Sequence, residues 1–112
     1  MKSTARRPEN TAKPPKNVSP EGKKLFKAIL EEAEMDGPGL ILVNLLVESF
    51  DRYQQARTFI AKHGIAYAER NGSGETKVKI NPALAIERDA KAAIMRAWAL
   101  LGFDQEVPGM AH

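Results

Sequence analysis

Cysteine is absent from this sequence. Disulfides, zinc–thiolate sites and thiol nucleophiles are excluded with it, and an intracellular setting is favoured. No apolar run approaches the roughly 20 residues that a membrane-spanning helix needs. The N-terminus is polar and proline-rich and lacks the hydrophobic core of a secretory signal. The expectation is a soluble protein of the cytoplasm with no membrane partner. Histidine is scarce too: His63 and His112 are the only two, and neither has a partner at metal-ligand spacing. No Walker-type loop, nucleophile elbow or glycine-set carboxylate pair occurs. Glu31, Glu32 and Glu34 cluster, but their spacing fits no metal loop, and a solvated helix end accounts for them. These absences point to a protein that is not an enzyme and carries neither metal nor cofactor.

What is present is one domain's length of chain, 112 residues with a net charge of +3. The charge is unevenly spread. Residues 1–24 hold seven Lys or Arg against two Glu, a balance of +5, whereas residues 25–112 hold ten against twelve acids, a balance of −2. A basic arm on a mildly acidic body suits a polyanion, nucleic acid first. A merely solubilising tail has the same composition. Residues 1–18 are rich in Pro, Lys, Ser and Asn with almost no apolar side chains, so they cannot offset the entropy lost on ordering. They are read as a disordered basic arm, residues 19–104 as a helical domain, and residues 105–112 as a short C-terminal tail.

The fold class expected is mainly α: a three-helix module with one long central helix and a small β-hairpin between helices 2 and 3. Ser19-Pro20 reads as an N-cap and first-turn proline. From there Leu25, Phe26, Ile29, Leu30 and Ala33 share one face, with Lys23, Lys24 and Lys27 outside. This helix is expected over 20–35, ended by the turn "DGPG". A second helix follows from about Gly39 to His63, with Gly64 as its stop. Its apolar residues cover more than half the circumference, far beyond the roughly 100° stripe of a surface helix. Either the other helices of one monomer or a neighbouring subunit covers the excess; the pattern leaves both open. Arg57 falls inside this arc and must be paired or reach the rim. Residues 65–80 change to a period of two around "NGSG", which reads as a hairpin. Its Arg70, Lys77 and Lys79 are possible secondary phosphate contacts, or a solvated strand face. Asn81-Pro82 opens the third helix, whose face of Ile86, Ala90, Ala93, Ile94, Ala97 and Leu101 is alanine-rich and allows close packing. Glu87 and Lys91 form an i,i+4 pair on its outer side. Trp98 and Met95 at the edge of that face read as an interface anchor or as the rim of the core, and Phe103 folds back onto the helix end.

The order of these segments resembles a known family. A long helix "LLVESFDRYQQARTFIAKHG" carries the cluster Phe50-Asp51-Arg52-Tyr53. A glycine-rich turn follows, then "NPALAIERDAKAAIMRAWALLG", with Asn81 to Leu84, the charged pair Glu87-Arg88 and the closing Leu101-Gly102. In these features the chain resembles the small subunits of tailed-phage terminases over roughly residues 20–104. The tail "FDQEVPGMAH" departs from the pattern, and no role is carried over to it.

The resemblance implies a non-catalytic protein of the host cytoplasm that binds double-stranded viral DNA. It further implies a homo-oligomer, a ring, that brings DNA to the terminase large subunit. On this reading Lys2, Arg6, Arg7, Lys13, Lys16, Lys23 and Lys24 contact phosphates, and Leu42, Leu46, Phe50, Tyr53, Met95 and Trp98 are the possible oligomer interface. No helix shows the Arg/Asn/Gln cluster of a major-groove reader. Two other classes stay open: a dimeric DNA-binding regulator of antitoxin type, and a helical protein-interaction adaptor.

Overall fold

The structure, a computed structural model, describes residues 12–108 and 110. Its elements run α1 (Pro20–Glu32), α2 (Gly37–His63), β1 (Ala66–Arg70), β2 (Thr76–Ile80) and α3 (Ala83–Leu101). The expected class holds: three helices, with a two-stranded antiparallel hairpin between the second and third. α2 is the spine. α3 returns antiparallel along one side of it and α1 packs against another.

The start of α1 is as the sequence predicts. Ser19 caps it, its Oγ accepting from the Gly22 N–H at 3.1 Å, and Pro20 sits in the first turn. Its end is earlier than expected. Ala33 is already extended, with φ −156° and ψ 150°, and Met35 turns into the core. The "DGPG" segment does not separate two helices; it opens α2. The Asp36 carboxylate accepts from the Gly39 N–H at 2.8 Å and Pro38 occupies the first turn. An aspartate three residues ahead of a free N–H is a better cap than a turn residue. Gly64, at φ +86°, ends α2 and donates to the Ile60 carbonyl at 2.7 Å.

The core lies along the seam of the three helices. Phe26 and Ile29 of α1, Val43, Leu46, Val47, Phe50 and Tyr53 of α2, and Ala90, Ile94, Ala97 and Trp98 of α3 are all buried. Both alternatives for covering α2 are thereby narrowed, since α1 and α3 of the same chain enclose most of its apolar arc. The excess that remains exposed is small and specific: Ile41, Leu45 and Phe59 on α2, Ile86, Met95 and Leu100 on α3.

The hairpin stands clear of this core. Every residue of both strands is exposed. Its turn is organised by Asn71, whose Oδ1 accepts from the Ser73 N–H, the Ser73 hydroxyl and the Glu75 N–H, while Gly74 takes φ +89°. At its base sits Asn81, fully buried. Its backbone N–H donates to the Ile65 carbonyl at 2.7 Å, its Nδ2 donates to the Gly64 carbonyl at 2.7 Å, and its Oδ1 accepts from the Ala83 N–H at 3.0 Å. One residue thus caps α3 and ties it to the end of α2.

Candidate nucleic-acid interface

The cationic residues singled out from the sequence divide into three groups. Lys2, Arg6 and Arg7 lie outside the described residues. Lys13 and Lys16 are exposed on a segment that runs into α1, and Lys23 and Lys24 are exposed on the outer face of α1 next to Lys27. The core-facing Leu25, Phe26 and Ile29 set that orientation, because a lysine one or two residues away is turned toward solvent.

The root of the arm is seated on the domain. Ala12 packs against the core and Val18 is buried, so the packed chain begins inside the segment read as the arm. Asp51 of α2 holds this root. It is buried, and its carboxylate accepts from the Ser19 N–H at 2.7 Å and the Ser19 hydroxyl at 2.6 Å. A charged acceptor with two short donors makes a strong pair. Gly22 lies in the same contact: an added Cβ would meet Asp51 Oδ1 at 3.0 Å and Val18 Cβ at 3.2 Å. The path of the chain from Lys16 into the lysine face of α1 is therefore set by packing. The Ser19–Asp51 bond spans 32 positions, and nothing local in the sequence signals it.

The hairpin cations do not converge. Alternation along the strands puts Arg70 with Ala66 and Ala68 on one face, and Lys77 and Lys79 on the other. Lys79 Nζ pairs with Glu69 Oε1 at 2.7 Å, and that hydrogen bond and its charge raise the Lys79 pKa above the usual lysine value. Glu69 also stands opposite Lys77 in the ladder.

The contact residues expected for an oligomer are placed differently. Leu46, Phe50, Tyr53 and Trp98 are buried inside the single chain, with α1 and α3 as their cover. Leu42 is half-buried, and Met95 alone of the six is exposed. Trp98 is a core residue that holds the tail, in line with its reading as the rim of the core. Its Nε1–H donates to the Gln105 carbonyl at 2.7 Å, Phe103 packs on it with ring centroids 4.6 Å apart, and Val107 and Met110 are buried beside it. Arg57 reaches the rim, as expected. Its Nη1 donates to the Tyr53 hydroxyl at 3.0 Å and its Nε lies 3.8 Å from Glu87 Oε2, so Glu87 faces α2 rather than Lys91.

His63 ends α2 stacked on Phe59, with ring centroids 4.2 Å apart; His112 lies outside the described residues. Among the described residues no group of three His, Asp or Glu side chains is placed to hold a metal ion. No helix among them is long and apolar enough to cross a membrane.

A family model described as phage terminase, small subunit, matches residues 22–106. No curated protein matches the chain, and no solved structure does. The matched span takes in most of α1, all of α2 and α3, the hairpin and the start of the tail, so the segments that carry the family pattern are the ones that build this fold. The chain belongs to the phage terminase small-subunit family.

Proposed function

We propose that this protein binds double-stranded viral DNA in the host cytoplasm, self-assembles, and delivers the DNA to the terminase large subunit to start packaging. Small subunits of this family are generally the non-catalytic member of the packaging enzyme, and the family's role in phage DNA packaging is the frame for the reading. The observation that carries the DNA assignment is the continuity of positive charge. Exposed Lys13 and Lys16 lead into exposed Lys23, Lys24 and Lys27 on one helix face, and Lys2, Arg6 and Arg7 extend the run toward the N-terminus. Such a run binds phosphates by releasing counterions. A ring raises the affinity of each weak arm through effective concentration. Specificity for a site comes from DNA shape, assembly geometry or the large subunit rather than from base edges.

The test is a fluorescence-anisotropy titration across salt concentrations. With four to six phosphates engaged per subunit, log K is expected to fall with log salt at a slope of about −4 to −5. Removing residues 1–18 takes away five of the seven cations, leaving a slope of about −2. Unchanged binding after that truncation rules out the arm. Native mass spectrometry tests assembly: species larger than a pair are expected, and a species that stops at two copies makes a dimeric DNA-binding regulator the better description.

A further inference from the structure

The exposed side of α2, between α1 and α3, carries a stripe that runs Ile41, Leu45, Glu48, Arg52, Gln55, Phe59, with Pro15, Lys16, Asn17 and Val18 bordering its middle at Glu48, Arg52 and Gln55. Steps of four and three residues alternate, which is the heptad spacing of a helix–helix seam. Ile41 is 62% exposed, Leu45 53% and Phe59 45%, so the single chain leaves large apolar groups at both ends of the stripe uncovered. One end adjoins a groove between α2 and α3, lined by Ala56, Phe59, Pro82, Ala83 and Ile86. Ile86 is itself 49% exposed, and Leu100, two heptads further along the same flank of α3, is 72% exposed.

The order of residue types in the stripe is self-complementary only when it is read backwards. Laid antiparallel on a copy of itself about a two-fold axis near residue 50, the stripe puts Ile41 against Phe59, Leu45 against Gln55 and Glu48 against Arg52. Each pair occurs twice, and each joins a core-type position to its antiparallel counterpart. Ile41 of one copy then enters the groove beside Phe59 and Ile86 of the other. A parallel alignment instead opposes Glu48 to Glu48 and Arg52 to Arg52, which like-charge repulsion disfavours.

The scale is adequate. A stripe of 18 residue steps is about 27 Å long. With α3 alongside at a helix spacing of about 9 Å, the face covers on the order of 500 Å² per copy. Two copies bury roughly 1,000 Å², the threshold for a biological contact and the size of a weak, concentration-dependent pair.

We propose that this face is the site where a second copy of the chain docks, in an antiparallel two-fold pair of α2 helices centred on reciprocal Glu48–Arg52 contacts. The contact deepens the proposed self-assembly by naming its surface, and rests on that reading for the presence of a second copy. A two-fold contact closes on two chains, so the pair is the building unit and any larger ring uses another surface.

Charge reversal tests it in the full chain by sedimentation equilibrium. Glu48→Arg and Arg52→Glu are each expected to weaken the pair about tenfold or more, because each places like charges together twice. An equimolar mixture of the two single variants is expected to re-form a mixed pair. The double variant E48R/R52E is expected to pair like the parent. Ile41→Glu is expected to dissociate it with no charge rescue. All these side chains are exposed in the single chain, so the far-ultraviolet circular-dichroism spectrum of each variant should match the parent, with Arg52→Glu losing in addition the bond from Arg52 Nη2 to the Ser49 hydroxyl. Single reversals that keep the parent's mass, a mixture that stays dissociated, or a parent monomeric at every concentration each overturn the proposal. DNA binding measured on the same samples bears on the packaging reading alone, and its loss leaves the self-pairing result standing.

Discussion

Two buried polar residues determine how the helices join. Asn81 is the more demanding. Fully enclosed, it uses its side-chain donor on the Gly64 carbonyl and its acceptor on the Ala83 N–H. Removing the side chain leaves both backbone groups without these partners in a place water reaches poorly, a loss of about 1–3 kcal/mol for each group. Asn81→Ala is therefore expected to lower unfolding stability by about 2–4 kcal/mol, read from the midpoint of a urea titration at unchanged slope. Its capping role is legible in the sequence, because Asn before Pro at the head of an apolar periodic run is a recognised start. Its bond to Gly64 is not, because that needs the end of α2 brought to the start of α3. Asp51 shows the same division. As one member of "FDRY" it reads as part of a charged cluster. Its bonds to Ser19 exist only because α1 crosses α2 at that point.

Among the elements, the hairpin differs most from the rest. A two-stranded sheet alone is marginal in water, and no face of this one is covered by the described residues. Its stability comes from the Asn71 turn, the ladder and the anchor at Asn81. Val78 is 76% exposed at the middle of β2. Val78→Lys is expected to change the thermal melt by no more than about 0.5 kcal/mol, while the same change at fully buried Val47 should cost several. Equal losses at the two positions in a melting experiment would mean that the hairpin is packed after all. Both strands are visible in the sequence, since a period of two around Asn-Gly-Ser-Gly is a short-range signal. That they project from the domain is a tertiary outcome.

For the molecule as a whole, the tail completes the core. Trp98 is the chain's only tryptophan, and it is roofed by Phe103, the Gln105 carbonyl and the buried Val107 and Met110. Deleting residues 105–112 strips the indole of its acceptor and of two apolar neighbours. Its fluorescence should shift to the red and stability should fall, by no more than the roughly 3–6 kcal/mol that burial of Val107 and Met110 supplies. A blue emission maximum that survives the deletion would show that the tail does not cover the indole. The tail's composition concealed this role: "FDQEVPGMAH" has no period, and only proximity to Trp98 gives Val107 and Met110 somewhere to go.

The sequence by itself determined what depends on near neighbours along the chain. That covers the order and type of the five elements, the caps at Ser19 and Asn81, the glycine stops at Gly64 and Gly102, and the family pattern from α1 to α3. It also determined where charge collects, because composition does not depend on folding. The tertiary structure decided which half of a broad apolar arc is inside. Leu46, Phe50, Tyr53 and Trp98 went into the monomer, and Ile41, Leu45 and Phe59 were left facing outward. A helical wheel cannot make that choice, since burial on a helix with apolar groups most of the way round is set by where the other helices cross it. Those crossings are fixed by contacts between residues far apart in sequence, such as Ser19 with Asp51 and Arg57 with Glu87.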